Sequence, residues 1–356
     1  MDIVKAIQVT FENANVTKAI VSTISIILLG FYLRKRGTFG ADFGKVLTKV
    51  VLAVALPALA FNSFMQGINY ETFKQSMNVL IWGILIYIVL IFSTKFMYLK
   101  YKGDRQDVLR VLTDFGSTTF FGIPIVAGIY GPTSTAVIYA SVFNIGYRVF
   151  LYSYGYIKMS GLKMKIKNLK QMLLNPIVIA TFAGLILWLI QNQAWIPHMN
   201  GLDATGAKVN VAFYRIDATA PWISQPLTYL AGLASPLAWL GIGSTLGSIS
   251  LGKAVTDRDS WYYSFNKVIL VPIINVVLLA LLAVTNILPV NSEALETIII
   301  MMATPTAAVA STYAIGFDRE AVLASNASLL STVVATLLMP FWIVISQVLS
   351  STGLFK

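Results

Sequence analysis

The stretch Gly-Ile-Pro-Ile-Val at 122–126 places a proline near the middle of an apolar segment that is long enough to cross a bilayer. The stretch Ala-Thr-Pro-Thr at 303–306 does the same in the second half of the chain, and Pro305 stands 181 residues after Pro124. Proline removes a backbone hydrogen bond from a helix, and lipid tolerates freed backbone groups only where protein or a cavity surrounds them. A matched pair of such breaks indicates a secondary transporter with a binding site at the bilayer midplane of an inverted repeat.

The composition also indicates a membrane protein. Of the 356 residues, 57% are hydrophobic and 12% are charged, and that charged share is about half of what soluble domains carry. Ten segments approach the ~20 apolar residues that a membrane helix needs. They lie at 16–33, 46–65, 79–98, 108–130, 133–157, 173–190, 227–249, 261–287, 294–317 and 321–349. The sequence therefore predicts an all-α integral membrane protein with ten transmembrane helices.

Basic residues are divided unequally between the two sides of these spans. Alternate loops on one side hold 18 of the 26 Lys and Arg residues, and the other side holds six. Because Lys and Arg mark the cytoplasmic side, we predict a multi-pass protein of the cytoplasmic membrane with both termini extracellular. The net charge of +11 then follows from topology. The basic loops are expected to contact lipid head groups, and no nucleic-acid partner is indicated.

A second pair of prolines supports an internal repeat. Pro57 and Pro236 are 179 residues apart, close to the 181 that separate the prolines of the two breaks. Five spans in each half is an odd number, so the halves have opposite orientations in the membrane. Chance matching of prolines is the competing interpretation. The predicted units are a five-helix repeat at 1–157, a basic cytoplasmic linker at 158–172 and a second five-helix repeat at 173–356, with an extracellular loop at 193–226.

The loop at 193–226 is the longest segment outside the predicted spans. Val209, Val211 and Phe213 stand at alternate positions, which is compatible with a short β-hairpin. We interpret the loop as a peripheral addition, with a lid over the binding site as the alternative.

The residue types in the spans argue against an enzyme. Catalysis inside the membrane would need a His or Cys system, paired carboxylates or a metal cluster. The chain has no Cys, its one histidine, His198, lies in the long loop, and the acids of the spans, Asp114 and Glu296, lie in different halves. We expect no catalytic residues, no metal and no cofactor. A non-transporting membrane sensor is the alternative to a transporter.

Three charged residues lie deep in predicted spans. At ~1.5 Å per residue, Asp114 and Lys267 lie ~10 Å and Arg148 ~15 Å from the cytoplasmic ends of their spans, so Asp114 and Arg148 are expected to form an ion pair. Intramembrane charges are costly and usually face a partner, a cavity or a substrate path. One interpretation is a structural pair with a Lys267 that extends to the surface. The other is a cationic vestibule for an anion, with Asp114 as a proton site.

The two breaks predict the binding site itself. The second halves of both broken helices begin at the midplane, so two helix N-termini, each worth roughly +0.5 charge, point at one place. Free backbone N–H groups there suit a carboxylate, and the facing C-terminal ends suit a cation or a protonated group. The predicted substrate-binding residues are Ser117, Thr118, Thr119, Gly122, Ile123, Pro124, Ile125, Thr304, Pro305 and Thr306. Asn62, Asn144, Ser244 and Asn326 are further candidates, and each also fits a helix–helix hydrogen bond.

Several of these stretches resemble the auxin efflux carrier family, whose bacterial members include malate and other organic-acid permeases. The residues at 122–131 resemble the fourth-helix crossover of plant carriers. The stretches at 30–37, 56–62, 175–180 and 236–243 are similar to the family's helices one, two, six and seven. Ser117 stands where plant carriers have an Asn that contacts the auxin carboxylate, and the loop at 193–226 is longer than is usual in bacterial members.

The resemblance implies ten spans, a homodimer through helices two and seven, and elevator-like movement of a crossover domain. It also implies transport of a small organic anion, with a malate-like carboxylate favoured and an aromatic, auxin-like carboxylate as the alternative. Coupling to H⁺, to Na⁺ or to exchange of a second anion is left open by the sequence.

Overall fold

The computed structural model describes residues 14–161, 174–203, 206–248 and 255–351. Residues 162–172 of the predicted basic linker lie outside these ranges. The first half of the described chain comprises α1 (Ala14–Lys35), α2 (Phe43–Val50), α3 (Leu56–Ser63), α4 (Tyr70–Met97), α5 (Gly103–Asp114), α6 (Ile123–Tyr130), α7 (Thr135–Phe150) and α8 (Tyr156–Ser160). The second half comprises α9 (Pro176–Ile190), β1 (His198–Leu202), β2 (Lys208–Ala212), α10 (Ile216–Thr219), α11 (Pro221–Gly232), α12 (Ala234–Ser248), α13 (Arg258–Phe265), α14 (Val271–Val284), α15 (Ser292–Met302), α16 (Ala308–Gly316) and α17 (Ala321–Ser350).

Short π-helical turns link several of these helices. They lie at Val51–Ala55, Thr118–Gly122, Leu151–Gly155 and Asn266–Leu270. Three of them, those before α3, α6 and α14, are followed by a proline in the first turn of the next helix. These prolines lie inside continuous helical runs, where a proline ring clashes with the carbonyl of the preceding turn, and the wider π turn leaves room for the ring.

The membrane class is confirmed by the length and composition of the helices. Within the described residues, five helical runs are long and apolar enough to cross a bilayer, namely Val46–Ser63, Tyr70–Met97, Pro221–Gly247, Arg258–Val284 and Ala321–Ser350. Thr118–Tyr130 and Pro176–Ile190 are shorter apolar helices. Each of the ten predicted spans contains helix. The ten-span inverted repeat as such stays a prediction.

The helices pack in two groups. In the first group, α1 lies along α12, and α3 packs against α9 and α11. In the second group, α4 packs on α7, and both α13 and α15 pack on α17. Glycines allow the closest approaches: a Cβ added at Gly243 would lie 2.0 Å from the Ile27 carbonyl oxygen, and one added at Gly146 would lie 2.4 Å from the Gly83 carbonyl oxygen. Small residues let membrane helices approach in this way.

Contacts between loops define the two ends of the molecule. At the basic end, Arg105 pairs with Asp259 at 2.5 Å and with Glu320 at 3.0 Å. Tyr101 donates to the Asp259 carboxylate at 2.5 Å, and burial raises the pKa of the Tyr101 phenol. Further pairs at this end are Lys158–Asp107 at 2.9 Å and Arg319–Asp104 at 3.2 Å. At the opposite end, the Asn78 side chain donates to the Pro289 carbonyl oxygen at 2.6 Å. The alternation of all the predicted loops between the two ends stays a prediction.

The long loop lies at the opposite end and contains the hairpin. Strands β1 and β2 pair antiparallel from His198 opposite Ala212 to Leu202 opposite Lys208. The hairpin that the alternation at 209–213 permits is therefore present, with Leu202–Lys208 as its closing pair.

The fourth and ninth predicted spans are both interrupted. After α5 the chain is extended, with Phe115 at φ −113° and ψ 108°, and residues 303–307 separate α15 from α16. The two extended pieces pair with each other: the Ser117 N–H donates to the Pro305 carbonyl oxygen at 2.7 Å, and the Ala307 N–H donates to the Phe115 carbonyl oxygen at 3.0 Å. Each break therefore satisfies one N–H and one carbonyl group of the other, which reduces the cost of unpaired backbone in a membrane interior.

The first break differs in position from the prediction. Pro305 lies inside its break, whereas Pro124 lies in the first turn of α6 and the chain is interrupted earlier, at 115–117. The reason is that pairing with 303–307, rather than the proline ring, ends the first half of the helix.

Candidate functional site

A cavity of about 280 Å³ lies beside the paired breaks, between the two helix groups. Both groups contribute to its walls. Its polar lining residues are Thr48, Ser117, Thr119, Tyr147, Arg148, Tyr152, Asn175, Thr245, Thr306, Ser328 and Thr332. Its other lining residues are Leu52, Phe120, Phe121, Ile177, Ile242, Pro305, Ala307, Ala308 and Val309. The cavity therefore combines one cationic side chain with several hydroxyl groups and a largely apolar wall.

The cavity belongs to the basic end of the molecule. Asn175 caps the start of α9, where its side chain accepts from the Ile177 N–H at 3.0 Å. Ser328 lies near the start of α17, and Thr245 lies near the end of α12. These termini are on the side of the ion pairs that involve Asp259 and Glu320. Access to the cavity is thus closer to the basic loops than to the long loop.

Arg148 is the charged residue of the lining. Only 9% of its surface is exposed, and in the described part of the chain no ion pair and no hydrogen bond to its guanidinium is found. A buried charge without a partner is costly, and inside a membrane it usually faces a cavity or a substrate path. This side chain is therefore available to an anion in the cavity.

The starts of both second half-helices border the same cavity. The lining includes Thr119 and Phe120 in the turn that leads into α6, and Val309 in the first turn of α16. The backbone N–H groups of Thr119 and Phe120 form no hydrogen bond with any described residue. Helix N-termini of this kind bind anions through their free N–H groups and their dipoles.

The predicted ion pair between Asp114 and Arg148 is wrong. Asp114 ends α5 and is fully buried in a cluster with Lys267 behind the breaks, whereas Arg148 on α7 lines the cavity in front of them. The prediction rested on equal depth in the membrane. Depth does not specify the direction in which each side chain leaves its helix.

Lys267 neither extends to the surface nor lines the cavity. Its Nζ donates to the carbonyl oxygen of Thr113 at 2.9 Å, and the residue is only 1% exposed. A Cβ added at Gly116, in the first break, would lie 3.0 Å from this Nζ and 2.3 Å from the Thr304 hydroxyl. Lys267 is therefore packed directly behind the paired breaks.

Some of the predicted substrate-binding residues line the cavity and others support it. Ser117, Thr119, Pro305 and Thr306 are in the lining. Asn144 holds two of the others together: its amide oxygen accepts from the Thr118 hydroxyl at 2.6 Å, and its amide nitrogen donates to the Thr119 hydroxyl at 3.0 Å. Asn144 thus positions a lining residue without reaching the cavity.

The remaining candidates lie in the interior away from the cavity. The Thr304 hydroxyl donates to the Met301 carbonyl oxygen at 2.9 Å, and the Asn62 amide donates to the Thr228 hydroxyl at 3.1 Å across two helices. Gly122, Ile123, Pro124 and Ile125 are buried, and the Pro124 carbonyl oxygen accepts from the Ser235 hydroxyl at 2.6 Å. Ser244 is buried where α12 meets Gly30 of α1, and Asn326 is half-buried outside the lining.

Several lining residues were not predicted from the sequence. Ser328 and Thr332 are one helical turn apart on α17, a spacing that places two hydroxyls on one face. Thr245 follows the candidate Ser244, and one residue along a helix turns the side chain to a different face. Tyr147 and Tyr152 lie close to Arg148 along the chain. Aromatic residues near an intramembrane charge were the feature of the sequence from which these two lining residues could have been predicted.

The structure offers no metal centre in the part of the chain that it describes. No group of three or more His, Asp or Glu residues there lies close enough to hold an ion.

Comparison with known proteins yields one family and several relatives. A family described as "Membrane transport protein" matches residues 15–171 and 160–343. An "uncharacterized transporter" of Methanothermobacter thermautotrophicus is 24% identical over 340 residues, which cover 92% of this chain and 98% of the relative. The "uncharacterized transporter YfdV" of Escherichia coli K12 is 25% identical over 337 residues, which cover 92% of this chain and 96% of the relative. A protein of the same description in Shigella flexneri matches with the same figures.

Proposed function

Since this chain belongs to the auxin efflux carrier family of membrane transport proteins, we propose that it is a secondary transporter that carries a small organic anion across the cytoplasmic membrane. The observation that carries the proposal is Arg148, a buried and unpaired cation in a cavity that two helix N-termini also border. Each of these groups favours negative charge, and together they favour a carboxylate. Ser117 and Thr119 line the cavity and supply hydroxyls that would orient it.

The position of the cavity supports a mechanism of alternating access. It is formed between the two helix groups, so a movement of the second group, which carries both breaks, against the first would close it at one end and open it at the other. Elevator-like movement is the form that the family resemblance favours. The excess of Lys and Arg at the basic end favours a cytoplasmic location for that end, with both termini outside. In this state the cavity would then face the cytoplasm.

A homodimer through the first helix group is part of the proposal. Val46, Val50 and Val54 form an exposed apolar row along α2 and the turn that follows it, which suits either lipid or a second copy. The family resemblance favours the second copy at this place.

The lining narrows the class of anion. A malate-like substrate has two carboxylates, but Arg148 is the one cation that lines the cavity among the described residues. The rings of Phe120, Tyr147 and Tyr152 and several aliphatic side chains form much of the remaining wall. This lining favours a monocarboxylate with an apolar body over a dicarboxylate. A malate-like anion stays as the alternative that the family resemblance supports.

Counterflow in proteoliposomes tests the transport proposal. Vesicles that contain the purified protein are loaded with unlabelled malate or benzoate, and entry of the same labelled anion is followed. We expect benzoate to exchange faster than malate, and Arg148→Gln to lose the exchange. Arg215→Gln is the matched control, because Arg215 is equally buried but pairs with Asp217 at the opposite end, away from the cavity. Saturable binding of these anions without any exchange would favour a sensor instead.

A further inference from the structure

We propose that Asp114 is a proton-binding site and that Lys267 is a resident cation behind the paired breaks, so that transport is coupled to H⁺ and needs no Na⁺. The inference rests on the proposed transport function and concerns a region that the cavity does not include. Its ligand is the proton, bound at a carboxylate oxygen of Asp114.

Lys267 occupies the place that a free cation would take. Carbonyl groups at the C-terminal end of a helix attract positive charge. At the end of α5 these carbonyls already have partners: Lys267 Nζ donates to Thr113 at 2.9 Å, and the Tyr263 hydroxyl donates to Leu112 at 3.0 Å. At the end of α15 the Thr304 hydroxyl donates to Met301 at 2.9 Å. A Na⁺ ion needs several oxygen ligands at once, as other hard cations do, and here the ammonium and two hydroxyls have taken those oxygens.

Asp114 is the unusual member of this region. It is 0% exposed, and neither carboxylate oxygen has a hydrogen-bond partner in the described chain. No ion pair within 4.0 Å joins it to Lys267 or to any other cation. An ionised carboxylate in such a place would lack both hydrogen bonds and a contact charge. The arrangement therefore suits the neutral acid, with the proton on Asp114 and the positive charge on Lys267.

The groups that face Asp114 come from every neighbouring element. They are Arg110 on its own helix, Thr94 on α4, Tyr98 in the following loop, Tyr154 after α7, Tyr263 on α13 and Lys267 in the turn after it. The Thr94 hydroxyl and the Asn266 amide nitrogen are also buried without a hydrogen-bond partner. The Thr94 hydroxyl lies near the Asp114 carboxylate, and the Asn266 amide lies near the Tyr98 hydroxyl, but neither contact has full hydrogen-bond geometry. The cluster thus places donors close to the carboxylate without a firm hydrogen bond to it.

One hydrogen-bonded step connects this cluster to the cavity. Thr306 lines the cavity, and its hydroxyl is hydrogen-bonded to that of Tyr263, which in turn donates to Leu112 two residues before Asp114. Ser117, three residues after Asp114, lines the cavity on the other side of the break. A change of charge at Asp114 therefore acts on the anion over a short distance and through buried surroundings.

The coupling follows from the charges. When the Asp114 carboxylate takes one proton from water it becomes a neutral acid, and the net charge of Asp114 and Lys267 together rises from zero to plus one. The additional positive charge strengthens binding of the anion in the cavity. Release of the anion on the other side favours the return of the proton to water there. One proton thus moves with the anion, and no covalent bond of the anion changes.

The proton site can be tested without knowing the substrate. Difference infrared spectroscopy of the purified protein during a pH titration detects the C=O stretch of a buried carboxylic acid. We expect one such band that titrates, that is lost in Asp114→Asn, and that persists in Asp104→Asn, the control on the same helix with 59% of its side chain exposed. Persistence of the band in Asp114→Asn together with its loss in Glu296→Gln would assign the proton to the wrong half of the molecule and overturn the inference.

Lys267 is tested by the same titration. Removal of a nearby positive charge makes a carboxylate easier to protonate, so Lys267→Met should move the midpoint of the Asp114 band to higher pH by about one unit or more. Lys267→Arg keeps the charge and should keep the midpoint within a few tenths of a unit. If Lys267→Met does not fold, the midpoint in Lys267→Arg still tests whether the charge at this position acts on Asp114. An unchanged midpoint in a folded Lys267→Met would show that Lys267 does not act on Asp114.

Binding of Na⁺ is the second test of the inference. We expect no saturable binding of radioactive Na⁺ to the wild-type protein and no thermal stabilisation when Na⁺ replaces choline at equal ionic strength. Saturable Na⁺ binding would overturn the inference.

In proteoliposomes, counterflow of benzoate at equal pH tests the transport function alone, whereas accumulation driven by a pH gradient tests the coupling. Asp114→Asn should keep the first and lose the second. Absence of counterflow in the wild type would instead reject the transport proposal and leave the infrared result to stand by itself.

Discussion

Two buried cations lie on opposite sides of the paired breaks and have different surroundings. Lys267 is enclosed behind the breaks and donates to the Thr113 carbonyl oxygen. Arg148 lies in front of them, and no ion pair to its guanidinium is found among the described residues. The first is bound within the structure, and the second is left for a ligand. A charged side chain inside a membrane indicates a binding role when no group of its own protein pairs with it. The depth of the residue in the membrane does not show whether such a partner exists.

The largest expected effect separates these two residues. Arg148→Gln should weaken anion binding by about 2–5 kcal/mol, because a buried charge pair with the ligand is lost, and should leave the thermal stability of the empty protein nearly unchanged. Lys267→Met should instead lower the free energy of unfolding by about 1–3 kcal/mol, because the Thr113 carbonyl loses its buried donor. Binding calorimetry with benzoate and thermal unfolding in detergent measure the two quantities. A variant of Arg148 that melts well below the wild type would show that the guanidinium has a structural partner.

The next effect concerns the contact between the breaks. A methyl group at Gly116 would lie 2.3 Å from the Thr304 hydroxyl and 3.0 Å from Lys267 Nζ. Gly116→Ala should therefore force the paired segments apart and destabilise the protein by about 1–3 kcal/mol. Gly40→Ala is the control, since nothing lies within 4 Å of a Cβ at that position and its φ is not positive. Equal melting temperatures of the two variants would mean that the breaks separate without cost.

A smaller effect distinguishes the two hydroxyl groups beside the breaks. Ser117 lines the cavity, whereas the Thr304 hydroxyl is buried and donates to the Met301 carbonyl oxygen. Ser117→Ala should weaken anion binding by about 1 kcal/mol, the usual worth of one hydrogen bond, and should not change melting. Thr304→Val should do the reverse. The result that contradicts this assignment is a loss of anion affinity in Thr304→Val with Ser117→Ala unaffected.

The smallest effect is expected at Pro124. It lies within the continuous helical run Thr118–Tyr130, directly after a π turn that already accommodates its ring. Pro124→Ala should therefore change stability by less than about 1 kcal/mol, mostly through the unfolded chain, and should leave counterflow intact. Pro305, whose carbonyl oxygen accepts from the Ser117 N–H at 2.7 Å inside the break, should be more sensitive in counterflow. Equal loss of counterflow in both variants would restore the symmetric role that the sequence suggested.

The sequence predicted the interruptions, their flanking hydroxyls and the charges inside the spans. These features are local, because a proline or a polar side chain in an apolar segment is visible without any neighbour. The first break was placed at Pro124 rather than at 115–117 because its position depends on pairing with 303–307, far away in the chain. Likewise Asn144 was a candidate for contact with the substrate, but its two hydrogen bonds to Thr118 and Thr119 assign it to positioning.

By itself the sequence determined that the chain is a helical membrane protein with several segments apolar enough to span a bilayer. The physical reason is that transfer into lipid depends on the composition of each segment, and that composition is written in consecutive residues. Only the tertiary structure decided that Arg148 faces a cavity while Asp114 and Lys267 lie enclosed behind the breaks. That outcome depends on how each helix is rotated about its axis and on which distant segment packs against it. Neither can be read from spacing along the chain.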